Sequence, residues 1–222
     1  MDLKETREFW KVAANFPPDK ETVYPAHAAA HCFDVQGQPG KQVLEYGCGG
    51  GSDTMSLARR GATVVYVDVV PENIQQTSRR IAAGPMLAGT AIGYVLDDSD
   101  ALPFEAALFD SVNCHGVLHH IEEKLMGRVI DEFYRALKPG GMLYAMLYTE
   151  HLFNRCMTQI EGLRAQGWSV ERAFSYCTDG GGIARAYSLG GGRELFEAHG
   201  FEFVSAVEYN DADFRTFRVK RP

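Results

Sequence analysis

Three acids and a run of glycines carry the chemistry legible in this sequence. Glu45 opens the stretch Glu45-Tyr46-Gly47-Cys48-Gly49-Gly50-Gly51-Ser52, directly after the apolar pair Val43-Leu44. Helix-forming residues follow from Thr54 to Arg60, so the order is strand, tight turn, helix. Glycines in such a turn let the backbone approach a ligand closely. A dinucleotide turn asks for G-x-G-x-x-G, and Ser52 stands where its last glycine belongs. Glu45 argues the same way, because a carboxylate beside the turn repels a pyrophosphate and attracts a ligand bearing ammonium and sulfonium groups. The second acid, Asp68, ends the β-rich run Thr63-Val64-Val65-Tyr66-Val67, 21 residues beyond Gly47. That is near the spacing at which an acid reaches the hydroxyls of a ribose, with Val69 beside it. Asp98, followed by Ser99, is the third acid, four residues before Leu102-Pro103-Phe104.

The motifs recur in a fixed order. E-x-G-x-G-x-G followed by a strand ending in Asp68 resembles the first motif of class I S-adenosylmethionine (SAM) dependent methyltransferases. Asp97-Asp98-Ser99-Asp100-Ala101-Leu102-Pro103-Phe104 resembles the family segment after strand 3. Phe109-Asp110 through Leu118-His119-His120 resembles its strand 4 and the L-H-H that follows, and Leu137-Lys138-Pro139-Gly140-Gly141 its turn into strand 5. Each match is ordinary alone; their conjunction over roughly residues 40 to 148 is specific. The resemblance implies SAM as cofactor and S-adenosylhomocysteine (SAH) as product. It places Gly47, Cys48, Gly49 and Gly51 under the methionine end, Asp68 and Val69 at the ribose, and Asp98 and Ser99 at the adenine. It also implies a three-layer, Rossmann-like α/β fold with a mostly parallel seven-stranded sheet whose last strand is antiparallel.

His115 lies at the end of strand 4, where the crevice of an open α/β sheet opens. It is the first candidate for a general base and also a cofactor neighbour. His151, Tyr24 and His31 are further catalytic candidates, while His119 and His120 read as helix-start or packing residues. Nucleic-acid methyltransferases of this fold carry N-P-P-Y or a close variant at the end of strand 4. Asn113-Cys114-His115-Gly116 lacks both prolines and the aromatic, so a small-molecule acceptor methylated on oxygen or nitrogen fits better. Arg155, Arg164 and Arg185 hint that it carries a carboxylate. Two other readings stay open: a catalytically silent SAM-binding protein and a dinucleotide-dependent oxidoreductase.

The elements that position these residues alternate. Strands are expected near 42–46, 63–68, 92–96, 111–114 and 141–147, and helices near 53–60, 72–83 and 125–136, which implies a parallel sheet. The 222 residues, 45% of them hydrophobic, suffice for one core, so 1–222 reads as a single domain. Within it, 1–38 supplies N-terminal helices and 40–148 the SAM-binding core, with 148–192 a substrate-specificity insertion and 193–222 a last helix and hairpin. Glycine triplets at 180–182 and 190–192 read as joints of a lid. The resemblance implies N-terminal helices over the cofactor pocket, with Phe9, Trp10, Tyr24, His27 and His31 in a lid; the alternative is that those helices pack on one sheet edge.

A formal charge of -7 argues against a phosphate-tracking surface, so no nucleic acid is expected as partner. Arg215, Arg218, Lys220 and Arg221 read as a solvated face. Five cysteines without C-x-x-C spacing indicate neither disulfides nor a metal site. Cys48 and Cys114 are expected on the cofactor side. The charged N-terminus lacks an apolar signal region, so a cytoplasmic protein with no membrane partner is expected, monomer or homodimer.

Overall fold

The computed structural model describes residues 3–13, 38–84, 86–97 and 101–222. Helix α1 (Leu3–Ala13) comes first. The core then runs β1 (Gln42–Tyr46), α2 (Ser52–Arg59), β2 (Thr63–Asp68), α3 (Pro71–Ala83), β3 (Thr90–Val95) and β4 (Phe109–His115). A 3₁₀ turn (Leu118–His120) leads into α4 (Glu123–Ala136) and β5 (Leu137–Thr149). After it come α5 (Glu150–Arg155), α6 (Met157–Arg164), α7 (Val170–Asp179), β6 (Ala186–Tyr187), α8 (Leu189–Glu197), β7 (Glu202–Tyr209) and β8 (Phe214–Lys220).

The sheet runs β3-β2-β1-β4-β5-β8-β7, parallel except for β8. The two-residue β6 adds an eighth strand beside Tyr148 and Thr149, where β5 extends past β4. The mixed α/β architecture is the Rossmann-like methyltransferase fold the motifs imply. From β1 the chain winds outward through β2 and β3, then returns to the other side of β1 as β4 and β5. The crevice of such a sheet opens at that switch, outside the carboxyl ends of β1 and β4.

Alternation of side chains across the strands divides the core. Leu44, Val112, Cys114, Leu143 and Ala145 pack under α4, whose Met126, Val129, Ile130, Phe133 and Ala136 repeat at helical spacing. On the opposite face Val43, Val64 and Tyr144 meet Leu57 and Ala58 of α2. Cys114 is thus a core residue, not one lining the cofactor side. Pro71 and Glu72 start α3, one with φ preset and the other near the positive end of the dipole.

Strand β5 begins earlier than expected. Leu137 already pairs with Phe109, and Lys138 to Gly141 form an irregularity before Met142 resumes the register opposite Ser111. The C-terminal basic residues are not a solvated face either. Arg215 is buried between Glu208 and Glu150, and Arg221 donates to the carbonyls of Arg135 and Leu137. No helix among the described residues is long and apolar enough to cross a membrane.

Candidate active site

The face of the sheet that covers α2 turns polar at its carboxyl end. Glu45 and Asn113 are neighbours in register on β1 and β4, and His115 follows Asn113 by two residues, on the same face. Asp53 and Thr54 reach them from the first turn of α2. His115 Nδ1 lies 2.9 Å from Asp53 Oδ2, which also accepts from Asn113 Nδ2 at 3.1 Å. Thr54 donates its hydroxyl to Glu45. All five side chains are buried.

Above this cluster runs the glycine turn. Its Gly47 and Cys48 amides both donate to the Val67 carbonyl, at 2.8 and 3.1 Å. Gly47 and Gly51 both have φ of +77°, and a Cβ on either would overlap Val117 or Thr77. Asp68, at the end of β2, accepts from the Gly49 amide at 3.0 Å, Asn73 Nδ2 at 3.1 Å and the Val70 amide at 2.9 Å.

Burial, reinforced by the neighbouring Asp53 charge, pushes the Glu45 carboxyl well above its ordinary range, against the opposing effects of Thr54 and His115. Burial also raises Asp68, partly offset by its amide donors. Two buried carboxylates, Glu45 and Asp53, therefore share one imidazole, an arrangement that is costly without further positive charge. Asn113 Oδ1, also buried, has no hydrogen-bond donor. Among the described residues the site is short of a cation that can donate.

Residues 44–145 match the family described as "Methyltransferase domain". The match covers just under half of the chain and agrees with the resemblance of its motifs to class I SAM-dependent methyltransferases. The chain is 36% identical over 105 residues to the mitochondrial ubiquinone biosynthesis O-methyltransferase of Mus musculus, covering 47% of this chain and 28% of that one. An uncharacterized Synechocystis methyltransferase is 34% identical over 104 residues, 47% of this chain and 45% of its own length. The chain therefore spans less than half the length of these curated relatives. Among solved structures, a chain from the complex of the Haloferax volcanii Trm112 methyltransferase activator with a methyltransferase superposes with a TM-score of 0.70. The two chains are 18% identical, with 97% of this one and 98% of that one covered, a likeness of fold.

The residues present fit the family's cofactor. SAM brings an ammonium and a sulfonium, positive charge that complements the Glu45 and Asp53 carboxyls, and its ammonium is a donor for Asn113 Oδ1. Asp68 Oδ2 accepts from the Gly49 amide, Asn73 Nδ2 and, at 4.0 Å, Cys48 Sγ, so Oδ1, bonded to the Val70 amide, is the less crowded oxygen toward a ribose hydroxyl. Val69, half-buried, follows Asp68 at the rim. Asp98 and Ser99 lie outside the described residues, but both flanks of their segment are anchored. Leu96 donates to the Asp68 carbonyl at 2.9 Å, and Arg135 holds the carbonyls of Leu102 and Phe104 at 3.1 and 2.8 Å.

The catalytic candidates do not converge. His115 is turned onto Asp53 beneath the glycine turn, His151 is exposed on α5, and Tyr24 and His31 lie outside the described residues. The arginines proposed for an acceptor carboxylate are largely occupied: Arg155 pairs with Asp213 at 2.5 Å, and Arg185 donates to the Ile121 carbonyl at 2.7 Å. Asp53, Thr54 and Asn113 are site residues that the motifs do not mark. The signal available was an acid in the first turn after the glycines and a polar residue two before His115.

Proposed function

We propose that the protein transfers the methyl group of SAM to a small-molecule acceptor, on oxygen or nitrogen. The observation that carries this reading is the buried Glu45-Asp53-Asn113-His115 cluster beneath a glycine turn, with Asp68 beside it. Such a floor suits a cationic methionine end and disfavours the pyrophosphate of a dinucleotide. SAM, when bound, supplies an electrophilic methyl on a positively charged sulfur. The protein's own task is chiefly alignment, and positioning can lower a barrier by about 7–11 kcal/mol. In this scheme Gly47 and Gly51 let the turn close onto Val117 and Thr77, Asp68 fixes the ribose, and the acid cluster holds the charged end. The match to an O-methyltransferase of ubiquinone biosynthesis is compatible with a hydroxyl acceptor. Calorimetric titration with SAM, SAH and nicotinamide dinucleotides tests the reading. Micromolar binding of SAM and SAH is expected, and nicotinamide binding without SAM binding would overturn it.

A further inference from the structure

A second polar constellation follows Val117, which packs against the glycine turn. His120 ends the 3₁₀ turn that Val117 leads into, and Val117 itself packs against Gly47. His120 Nδ1 donates to the Ile183 carbonyl at 2.9 Å, which fixes the tautomer and leaves a lone pair on Nε2. Asp179 at the end of α7 faces that nitrogen, its Oδ2 3.9 Å away. A neutral Nε2 and a carboxylate are both acceptors, so neither satisfies the other; the arrangement awaits a proton between them. Asp179 is fixed there by hydroxyl donors from Tyr148, at 2.8 Å, and Thr178.

The surroundings are aromatic, and one wall is helix α1. Trp10 stands edge-on to the His120 ring at 4.7 Å, and Phe9 lies 4.9 Å from Trp10, against Gly181 and Gly182. Tyr148 flanks His120 at 5.6 Å from below. The same helix reaches the cofactor rim, where Arg7 donates to the Leu96 carbonyl at 2.5 Å and Lys11 pairs with Glu72 at 2.9 Å. It thus bridges the rim near Asp68 and the His120-Asp179 pair.

We propose that His120 is the catalytic base for an aromatic hydroxyl acceptor, with Asp179 stabilising the imidazolium and Trp10 of α1 covering the acceptor ring. This rests on the methyl-transfer reading above. In the step, the acceptor oxygen bonds to the methyl carbon, the carbon–sulfur bond breaks with its electron pair leaving on sulfur, and the hydroxyl proton passes to Nε2. A general base of this kind contributes about 10²- to 10⁴-fold. The titratable groups facing His120 are Asp179 from α7, His119 on its own turn and Tyr148 from β5, while α1 presents Trp10. Burial lowers the His120 imidazole and Asp179 opposes that shift.

The test uses catechol as probe and the full chain with Trp168→Phe, so that Trp10 is the remaining indole of the two in the sequence. Catechol added to SAH-loaded protein is expected to change Trp10 fluorescence saturably and to shift the His120 ring resonances in nitrogen-15 spectra. With SAM, catechol is methylated. His120→Ala loses about a hundredfold or more in turnover at saturating catechol while its SAM dissociation constant stays within about twofold. His120→Asn, which keeps a donor for Ile183, behaves alike should the alanine variant fold poorly. Asp179→Asn moves the acid limb of kcat/KM to lower pH. Failure of SAM to bind defeats the methyl-transfer reading itself. SAM binding with no catechol signal and no methylation, or wild-type turnover in the His120 variants, overturns this proposal alone.

Discussion

Glu45 is a buried carboxyl whose surroundings favour its neutral form, and that makes single residues of the site sharp to test. Charge-assisted hydrogen bonds contribute about 1.5–3 kcal/mol. Asp68→Ala is therefore expected to weaken SAM at least about tenfold by calorimetry, and an unchanged dissociation constant would remove Asp68 from the ribose. His115→Ala should weaken SAM as well, because His115 bonds to Asp53 in the floor of the site. Wild-type affinity with lowered turnover would instead return His115 to acid–base chemistry. Glu45 and Asp68 were legible because each lies within a few residues of the turn or strand end that uses it. Asp53 and Asn113 were not, since their contact joins residues 60 positions apart, and only the pairing of β1 with β4 brings them together. The orientation of His115 followed from strand parity with Asn113, a relation visible once the strand's extent is known.

Among the elements, the two glycine triplets show where local propensity misleads. Gly180 to Gly182 all have φ between +81° and +159° and form the loop that the sequence suggests, against Phe9 of α1. Gly190 to Gly192 are helical, in the first turns of α8, although glycine costs about 1 kcal/mol per helical position relative to alanine. Ser188 caps the helix by accepting from the Gly191 amide at 2.9 Å, and Gly192 lets α8 close onto the Phe217 ring. Tertiary packing explains that helix, and a single sequence carries no sign of it. The consequence is a paired prediction for urea unfolding. Gly192→Ala drives a methyl into Phe217 and should cost about 1–3 kcal/mol. Gly190→Ala, with only the Ser188 hydroxyl oxygen as near as 4.0 Å, should stabilise by about 0.5–1 kcal/mol. Equal effects of the two substitutions would mean that the approach to Phe217 does not set the position of α8.

At the scale of the whole molecule, a parallel sheet was legible from alternating strands and helices, whereas the strand order, which fixes where buried titratable groups gather, was not. Those groups give the stability of the cofactor-free protein two opposed slopes with pH. His119 is fully buried against Tyr148, ring centroids 4.0 Å apart, and burial followed by the His120 charge holds it well below the ordinary 6.5. The unfolded chain therefore takes up that proton first, and the His119 contribution is lost as pH falls below 6.5 toward the folded value. Glu45 acts in reverse. Its folded value lies well above 4.5, so its contribution is complete below 4.5 and is lost as pH rises through the folded value. A bound cation changes only the second slope: the positive end of SAM favours the Glu45 carboxylate and removes the loss on the alkaline side. The rise in melting temperature given by saturating SAM should therefore grow as pH rises above 4.5, beyond the mass-action stabilisation common to any ligand. Glu45→Gln, which cannot titrate, should flatten that growth while leaving the acid-side loss in place. A SAM-induced shift with the same pH dependence in both proteins would show that Glu45 does not sense the cofactor's charge.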